Sequence, residues 1–419
     1  MAQLSNDCFA FGGKLLRLNA ALDDLSTRLV PVADIEDASL AQAQGRILAS
    51  ALLAPVPVPG FANSAVDGYA VRHADLQADR ETRLPVSGRI PAGALAVPAL
   101  GPGQAMRIFT GAMMPPGADT VFMQEDVTLD GDTVILPPGL KTGANSRAAG
   151  EDFEVGKPVM PAGIRLDARG LSALAALGIG EVSVRRPLRV AVFSTGDELR
   201  DVGHAVPLPA GAIRDANRPM LLALLRNRGL VATDLGILPD SRAAIREALV
   251  VASRDHDVLL TSGGVSTGEE DHVRFAVEEA GQLDFWRLAI KPGRPIAMGH
   301  LGKAVVLGMP GNPAAVLVTF ARFVGPVLDM LAGARPVRPL PRWLPAGFSY
   351  RKKAERLEYV RASIAGVAGP PEARRFPRDG AALISSLIAT DGLVELEEER
   401  LAVQPGEPVA FYSYADLMV

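Results

Sequence analysis

The chain has 419 residues, which is enough for about two to four domains of roughly 100–200 residues each. Its hydrophobic content of 48% and charged content of 21% are typical of a globular protein with several buried cores. The net charge of −4 argues against non-specific binding of nucleic acid, which depends on a basic surface. The single cysteine, Cys8, excludes an internal disulfide and a metal site built from cysteines, so we expect a reducing, cytoplasmic compartment.

The sequence has no run of about 20 uncharged apolar residues, so we expect no membrane span and no membrane partner. The nearest candidate, 314–331, contains Arg322, Pro326 and Asp329. It is predicted instead to be a buried helix that ends near Gly325. We expect no signal peptide, because charged residues interrupt every apolar run near the N-terminus.

The first part of the chain is predicted to be helical. Leucines recur at spacings of three and four over 14–30, which is the pattern of an amphipathic helix. A second helix is predicted from Ser39 to Leu52. The segment 157–186 carries a further helical pattern, and we expect it to pack on 31–53 as one discontinuous linker domain.

Two regions, 54–156 and 338–416, are predicted to be all β. In the first, short β-branched runs alternate with Gly and Pro turns, which indicates a small β module. The second follows a Pro-rich break and carries short strand patterns between turns, which indicates a C-terminal β domain.

Residues 10–30 and 187–333 are assigned to an α/β domain. Strand patterns alternate there with helical segments, and this order predicts a mostly parallel sheet with crossover helices. Asn217 is predicted to cap one of these helices, and Asp240 or Ser241 the next. In such sheets ligands bind at the carboxyl ends of the strands, so the segments that follow the strands are candidate sites.

The first such segment is Ser194-Thr195-Gly196-Asp197-Glu198, which follows a buried-strand run. Its hydroxyls and glycine beside two carboxylates suit a bound phosphate or a hydrated metal ion. The same residues suit a turn that caps a following helix. For this segment alone we favour the turn.

The second segment, 261–271, is rich in glycine and hydroxyls. Gly263 and Gly264 let backbone amides approach an anion closely, and Ser262 and Ser266 can donate hydrogen bonds. Three acidic residues follow. A glycine turn before an acidic helix start is the alternative, but the density of glycine and hydroxyls favours a ligand site.

The third segment is Met309-Pro310-Gly311-Asn312-Pro313, which enters a helix at Asn312 or Pro313. The free amides at the start of that helix would face an anion. A purely structural turn from strand to helix explains the segment equally well.

A basic segment lies between the second and third loops. Arg287, Lys291 and Arg294 stand at spacings of four and three around a Pro-Gly turn. Such cations suit a phosphate or another oxyanion. A solvated basic strand end explains them equally well.

The candidates as a set contain no Ser-His-Asp order, no clustered histidines and no phosphate-binding loop of the form GxxxxGK[ST]. The five histidines are scattered, which argues against a zinc centre. Carboxylates favour Mg²⁺, which usually bridges to substrate phosphates. The residues alone therefore predict a magnesium-dependent α/β enzyme that handles phosphates, and they leave its substrate open.

Several stretches together resemble the molybdopterin molybdotransferase (molybdenum insertase) family, which includes the E domain of the scaffold protein gephyrin. The likeness runs from about residue 10 to residue 415, and the order and spacing of the stretches make it specific. The stretches are Gly45-Arg-Ile-Leu-Ala, Val58-Pro-Gly-Phe, Asn63-Ser-Ala-Val-Asp-Gly-Tyr-Ala, Phe193-Ser-Thr-Gly-Asp-Glu-Leu, Ser262-Gly-Gly-Val-Ser, Ala289-Ile-Lys-Pro-Gly and Pro310-Gly-Asn-Pro.

The resemblance implies an elongated subunit with a three-layer α/β molybdopterin-binding domain, a discontinuous linker domain, a β module and a barrel-like C-terminal domain. It implies a homodimer whose active site lies between the α/β domain of one subunit and the β module of the other. The implied substrates are adenylated molybdopterin and molybdate, with Mg²⁺ as the cofactor and molybdenum cofactor and AMP as the products. The molybdopterin adenylyltransferase is a further implied partner.

The family's site residues map onto positions of this sequence. The catalytic positions are Asp67, Thr110, Asp152, Glu198, Asp240, Asp271 and Lys291. The substrate-binding positions are Arg147, Ser194, Thr195, Gly196, Ser262, Gly263, Gly264, Ser266, Arg287, Arg294, Pro310, Asn312, Pro313, Arg361 and Ser385. By this resemblance Glu198 and Asp271 would place Mg²⁺ on the pyrophosphate link.

Two departures from the family pattern concern the basic segment and the C-terminal region. Arg287 and Arg294 stand where some relatives carry lysine, which keeps the charge but removes a group able to give up a proton near neutral pH. Ala381 lacks the hydroxyl that family members often carry shortly before a Ser-Ser pair, here Ser385 and Ser386. A substrate contact at position 381 is therefore not expected.

Two alternatives stay open. An insertase that prefers tungstate has the same pattern, because no residue separates the two oxyanions. A molybdopterin-binding or scaffold protein of the same fold, without turnover, is the other. The charged residues Asp67, Glu198 and Asp271, together with Lys291, favour an enzyme, since a scaffold does not need clustered charge in a cleft.

Overall fold

The computed structural model describes residues 15–203, 207–264, 272–366 and 369–418, and for 283–287 the backbone alone. It shows an α/β region and separate β-rich regions, so the predicted combination of α/β and all-β structure is confirmed. The helices longer than one turn are Leu18–Arg28, Ala168–Ala176, Asn217–Asn227, Arg242–Ala252, His272–Ala280, Pro313–Thr319 and Gly325–Leu331.

A six-stranded sheet forms the centre of the α/β region. From one edge to the other its strands are Val231–Leu238, Arg189–Thr195, Val258–Ser262, Ala304–Met309, Pro295–Leu301 and Gln282–Arg287. The first four run parallel, and the last two are antiparallel to their neighbours. The carboxyl ends of the four parallel strands therefore lie along one edge, where the three candidate loops follow.

The strands Arg189–Thr195, Val258–Ser262 and Ala304–Met309 in the middle of this sheet are buried on both faces, which explains their continuous apolar runs. Val190 and Val192 point to one side and Ala191 and Phe193 to the other, and all four are fully buried. Each buried valine contributes roughly 1.5–3 kcal/mol by leaving water. Helices cover both sides of the sheet, and those on the Val190 side belong to the largest hydrophobic core.

The apolar stretch after Asn312 is one long helix, made of Pro313–Thr319, a π-helical turn Phe320–Val324, and Gly325–Leu331. By length and composition these 19 residues could cross a membrane (mean hydropathy 1.7), and 83% of the stretch is buried inside the protein. It is the central helix of the largest core. The predicted end near Gly325 is wrong, because the π-helical turn accommodates Pro326 by changing the hydrogen-bond register.

The predicted helix from Ser39 to Leu52 is also wrong. A single turn, Leu40–Ala43, is followed by the short strands Ile47–Leu48 and Leu52–Leu53. Gly45 interrupts the helix because its φ of 74° is a left-handed conformation that favours glycine. The apolar residues that follow then pair with later parts of the chain.

The sheets outside the α/β region join segments that are distant in sequence. One three-stranded sheet is Ile35–Ser39, Glu181–Arg185 and Ile47–Leu48. A six-stranded sheet is, in order, Thr120–Met123, Gly68–Val71, Ala105–Ile108, Thr82–Ile90, Thr133–Leu136 and Thr128–Asp130. The two-stranded pairs outside the α/β region are Asn63–Ser64 with Ser146–Arg147, Leu52–Leu53 with Pro158–Met160, and Tyr350–Arg351 with Ala402–Val403. Within the α/β region, Leu199–Arg200 pairs with Ile213–Arg214.

The C-terminal region is built on a mixed sheet that includes a strand of the α/β region. Its order is Ile290–Lys291, Leu357–Ala365, Gly392–Leu396, Pro408–Ser413 and Arg342–Pro345, with Glu372–Arg375 beside Leu357–Ala365. The one-turn helices here are Ser385–Ile388 and Tyr414–Leu417. Because Ile290 and Lys291 pair in parallel with Leu357 and Glu358, backbone hydrogen bonds join the two regions.

Helix capping differs from the prediction at Asn217, whereas Ser241 occupies the predicted N-cap position of the next helix. The helix that starts at Asn217 is capped by Asp215, whose carboxylate accepts hydrogen bonds from the backbone N–H groups of Asn217 (3.2 Å) and Arg218 (3.1 Å). Ser241 precedes Arg242–Ala252 without a side-chain cap bond. The Asp240 carboxylate accepts a hydrogen bond from the Thr195 hydroxyl instead.

The Asp329 carboxylate on the long helix binds two arginines from other parts of the fold. It lies 2.8 Å from Nη2 of Arg165 and 2.7 Å from Nη1 of Arg228. Arg165 also donates to the carbonyl oxygen of Gly45. This partly buried group therefore links three distant segments of the chain.

We expect Asp329→Ala to lower the free energy of unfolding by about 2–3 kcal/mol, because it leaves two arginines without their counter-ion. Urea unfolding followed by circular dichroism measures the change. The matched control is Asp24→Ala, which removes a single, partly exposed i,i+4 pair with Arg28 and is expected to lower stability by about 0.5 kcal/mol. Equal losses in the two variants would contradict a linking role for Asp329.

Candidate active site

A cleft of about 540 Å³ lies between the α/β region and the C-terminal sheet. The α/β region contributes the three segments 263–264, 291–295 and 309–312, and the C-terminal region contributes most of the opposite wall. The predicted site residues that line the cleft are Gly263, Gly264, Lys291, Arg294, Pro310, Asn312 and Arg361. The fold thus brings seven of the predicted positions together within one chain.

Most of the charged side chains that line the cleft are basic. Its cations are Lys291, Arg294, Arg356, Arg361, Arg375 and Arg378, against the two carboxylates of Glu358 and Asp379. A concave site with this balance attracts anions. The sequence did not single out Arg356, Arg375 or Arg378, because arginines on short strands and turns form no motif.

Glu358 lies at the base of this cleft, with 1% of its side chain exposed. Its carboxylate accepts hydrogen bonds from Lys291 Nζ (3.0 Å), the Tyr350 hydroxyl (2.8 Å) and Arg356 Nε (3.0 Å). Burial opposes ionisation, yet the hydrogen bonds from Tyr350 and Lys291 hold the pKa of Glu358 below its ordinary value. Glu358 is therefore an anion at neutral pH.

Lys291 is held in a short loop above the long helix. A Cβ at Gly293 would lie 2.3 Å from the Thr319 hydroxyl, so the loop approaches the helix closely only because residue 293 is glycine. Burial favours the neutral amine, yet the hydrogen bond to Glu358 raises the pKa of Lys291 above its ordinary value. The ammonium is therefore charged at neutral pH.

Arg361 differs from the other buried arginines. It is 8% exposed and makes no salt bridge within the described part of the chain, and its Nε has no hydrogen-bond partner there. Burial lowers its pKa, but a guanidinium stays protonated in proteins. A buried, unpaired cation on the wall of a cleft calls for an anionic ligand.

The first candidate loop lies at the end of a buried strand. Ser194 and Thr195 are buried, and the Thr195 hydroxyl lies 3.0 Å from the Asp240 carboxylate. A Cβ at Gly196 would lie 2.6 Å from the Glu198 carboxylate, so glycine lets this exposed acid fold back over the strand end. The favoured alternative of a helix-capping turn is wrong, because a short strand, Leu199–Arg200, follows.

The second candidate loop is described only as far as Gly264. Gly263 and Gly264 have φ values of 92° and 65°, and a Cβ at Gly264 would lie 2.5 Å from Val273. Ser262 is buried beside them. Ser266 and Asp271 lie outside the described residues, as does the side chain of Arg287.

The third candidate loop is tied down by its neighbours. The Asn217 amide donates to the carbonyl oxygen of Gly311 (2.6 Å), and the Ala314 N–H donates to that of Ala381 (2.9 Å). The prediction of free amides is therefore wrong at Ala314, and Pro313 has no N–H. The sequence predicts only a capping role for Asn217, because its hydrogen bond to Gly311 joins residues far apart in the chain.

The remaining predicted residues that the structure describes do not line the cleft of the same chain. In the β module, the Asp67 carboxylate accepts hydrogen bonds from the backbone N–H (2.8 Å) and hydroxyl (2.7 Å) of Thr110. The hydrogen bond from the Thr110 N–H has the largest effect and the bond from the Thr110 hydroxyl the next largest, and both lower the pKa of Asp67. The Asp67 carboxylate is therefore ionised at neutral pH. Arg147 and Asp152 are exposed in the same module, and Ser385 is exposed in the C-terminal region.

Three family models match the chain in order. Residues 16–178 match the MoeA N-terminal region (domain I and II), and 191–330 match a probable molybdopterin binding domain. Residues 344–414 match the MoeA C-terminal region (domain IV). The three matches together cover most of the chain.

Curated relatives and a solved structure match over nearly the full length. A molybdopterin molybdenumtransferase of Haemophilus influenzae is 39% identical over 407 residues, which is 96% of this chain and all of the relative. One of Synechococcus elongatus is 34% identical over 94% of this chain and 98% of the relative. The crystal structure of a molybdopterin biosynthesis MoeA protein from Pyrococcus horikoshii superposes with a TM-score of 0.82 at 30% identity, covering 96% of this chain and all of that one. The chain belongs to the molybdopterin molybdenumtransferase family, a family of transferases.

Proposed function

We propose that the protein inserts molybdate into adenylated molybdopterin and releases AMP. Its family membership supports a transferase role in molybdenum cofactor biosynthesis. The observation that carries the proposal is Arg361, a buried cation without a carboxylate partner among the described residues, in a cleft where cations outnumber acids. Such a cleft suits a doubly charged oxyanion, and molybdate is one.

Molybdate would bind between the basic loop and the C-terminal wall. Lys291 and Arg361 line the same cleft from its two sides, and Arg294 is exposed at the loop beside them. Charge-assisted hydrogen bonds from these groups would hold the oxyanion. Because Arg294 and Arg361 cannot lose a proton near neutral pH, their role is binding rather than proton transfer.

The phosphate part of adenylated molybdopterin would bind at the strand ends. Gly263 and Gly264 leave the backbone open to an anion, and Ser262 lies beside them. The buried hydroxyls of Ser194 and Thr261 have no hydrogen-bond partner within the described residues, so they are available to a ligand. This supports a substrate site that continues from the molybdate cleft along the edge of the sheet.

The donors at this edge fit Mg²⁺, which takes hard carboxylate ligands and usually shares substrate phosphates. No group of three or more metal-binding side chains occurs in the described ranges. Glu198 and Asp240 stand at the edge, and Asp271 is a further ligand by resemblance. A bound Mg²⁺ would neutralise charge on the pyrophosphate link and make AMP a better leaving group.

The β module would complete the site from a second subunit. Asp67, Thr110, Arg147 and Asp152 lie in this module and do not line the cleft of their own chain. In a symmetric homodimer, each module would reach the partner's cleft. We propose this arrangement, a cytoplasmic location, and the molybdopterin adenylyltransferase as the partner that supplies the substrate.

The strand pairings support a four-part division of the subunit. The parts are 31–53 with 157–186, 54–156, 10–30 with 187–333, and 338–416. The pairing of Ile35–Ser39 with Glu181–Arg185 supports the discontinuous part. These boundaries and the barrel-like character of the last part belong to the proposal.

The purified protein is expected to release AMP when it is incubated with adenylated molybdopterin, Mg²⁺ and molybdate, and to reconstitute a molybdenum apoenzyme. Chelation of Mg²⁺ should slow AMP release, because the leaving group loses its counter-ion. Release is followed by chromatography. No AMP above background, with the adenylate still bound, would favour a binding or scaffold protein, and exchange of tungstate for molybdate tests the oxyanion preference.

Arg361→Gln is expected to raise the KM for molybdate about tenfold, because it removes a charge-assisted hydrogen bond worth roughly 1.5 kcal/mol. Initial rates at varied molybdate concentration measure the effect. Arg374→Gln is the control, since Arg374 is an exposed arginine of the same region that pairs with Glu372 outside the cleft. An unchanged KM in the Arg361 variant would move the oxyanion away from this wall.

Asp67→Ala and Glu198→Ala are each expected to abolish turnover without unfolding the protein, because Glu198 is exposed and Asp67 is only partly buried. If the site spans two subunits, a mixed dimer of the two variants contains one intact site. Coexpression should therefore restore about a quarter of the wild-type activity, since half of randomly formed dimers are mixed.

A matched control for this complementation is Asp130→Ala, which removes an exposed carboxylate of the same β module and should leave turnover unchanged. Restoration of activity by mixing would support the shared site. If each variant is inactive and the mixture is also inactive, the site lies within one chain.

A further inference from the structure

We propose that Glu358 is a positioning residue that holds Lys291 in place and protonated in the oxyanion cleft, where it faces the ligand together with Arg361. The inference rests on the proposed function in one respect, namely that an oxyanion binds in this cleft. It concerns a residue that the family resemblance does not assign to the site.

The backbone places Glu358 beside Lys291. Their strands run parallel with Ile290 opposite Leu357 and Lys291 opposite Glu358. The Lys291 ammonium comes from the α/β region and the carboxylate from the C-terminal sheet, so the pair crosses the boundary between the two. Strand register, rather than flexible side-chain reach, brings the two groups together.

Glu358 accepts hydrogen bonds from residues on both walls of the cleft. Oε2 accepts from Lys291 (3.0 Å) and Tyr350 (2.8 Å), and Oε1 accepts from Arg356 (3.0 Å). A carboxylate in an oxyanion site would repel the ligand if its charge were not balanced. Here Lys291 and Arg356 balance it, and a buried carboxylate with three donors is a firm anchor for both cations.

The other charged groups of the cleft would act against protonation of Lys291. Arg294, Arg356, Arg361, Arg375 and Arg378 line the same cleft, and the remaining carboxylate there, Asp379, pairs with Arg375. The centroid of the Tyr350 ring lies 6.0 Å from Nζ of Lys291 and 5.0 Å from Cζ of Arg375. Without Glu358, burial and neighbouring cations would both favour the neutral amine.

The sign of the pH dependence follows from these contacts. With Glu358 present, the pKa of Lys291 is raised, so the ammonium persists above its ordinary titration range. Without that anion, the main group that opposes the effect of burial is lost and the pKa falls, although Tyr350 still favours the ammonium. Arginine does not titrate here, and burial raises the pKa of Tyr350, so Lys291 is the cleft cation whose charge at alkaline pH depends on Glu358.

The test is molybdate binding to the full-length protein by equilibrium dialysis from pH 7 to pH 10, with molybdate alone as the probe. For Glu358→Gln we expect affinity to fall about tenfold between about pH 7 and pH 9.5, while the wild type falls less than about twofold. In Glu358→Gln combined with Lys291→Met the fall should disappear. A wild-type pH profile in Glu358→Gln would overturn the positioning role.

Two further variants separate this role from a structural one. Glu358→Asp keeps the charge and should keep most of the wild-type profile. Glu395→Gln is the matched control, because Glu395 is a partly buried carboxylate of the same sheet that pairs with Arg322 outside the cleft (2.8 Å). It should destabilise the protein without shifting the profile, and a shift equal to that of Glu358→Gln would overturn the proposal.

Failure of the proposed function has a different signature. If wild-type protein binds no molybdate at any pH, the oxyanion does not bind in this cleft and both proposals fall. If it binds molybdate and the Glu358→Gln profile is unchanged, the positioning role alone falls.

Discussion

The excess of cations over carboxylates in the cleft constrains how the surrounding residues must pair. Six cations stand against two carboxylates where the α/β region meets the C-terminal sheet. Repulsion among buried cations destabilises a fold unless each is paired or hydrogen-bonded. Glu358 binds Lys291 and Arg356, and Asp379 binds Arg375, which leaves Arg361 as the buried guanidinium without a carboxylate among the described residues.

The parts of the fold that the sequence predicted are those with a local hydrophobic signal. The run Val190 to Phe193 is buried on both faces, and a continuous apolar run of that length indicates such a strand without knowledge of its neighbours. The helix pattern from Ser39 to Leu52 was misleading, because Gly45 adopts a left-handed conformation that ends the helix. The apolar residues that follow it lie in short strands instead. A single left-handed glycine outweighed the periodicity on either side of it.

The candidate site was predictable where glycine, proline and hydroxyls cluster after a strand, as at Gly263 and at Pro310. Its other wall was not. No motif marks Arg356, Arg375 or Glu358 in the sequence. They reach the cleft through a strand pairing between residues almost seventy positions apart, roughly the separation of Lys291 and Glu358. The role of polar residues near helix starts was also ambiguous in the sequence. Asp240 can accept a hydrogen bond from a helix amide or from a neighbouring strand, and in the folded protein it accepts one from the Thr195 hydroxyl.

The arrangement of cations is built into the fold before any ligand binds. Backbone hydrogen bonds join the two regions on both sides of the cleft, at Ile290–Lys291 with Leu357–Glu358 and at Ala314 with Ala381. The Lys291 loop rests on the long helix through Gly293, whose lack of a side chain permits the contact. Groups that are already oriented lose little freedom when an anion arrives. Their stabilisation of developing negative charge is also greatest when they need not reorganise during a reaction. The hydrogen bonds that join the two regions of this fold are therefore the same ones that prepare the cleft for an oxyanion.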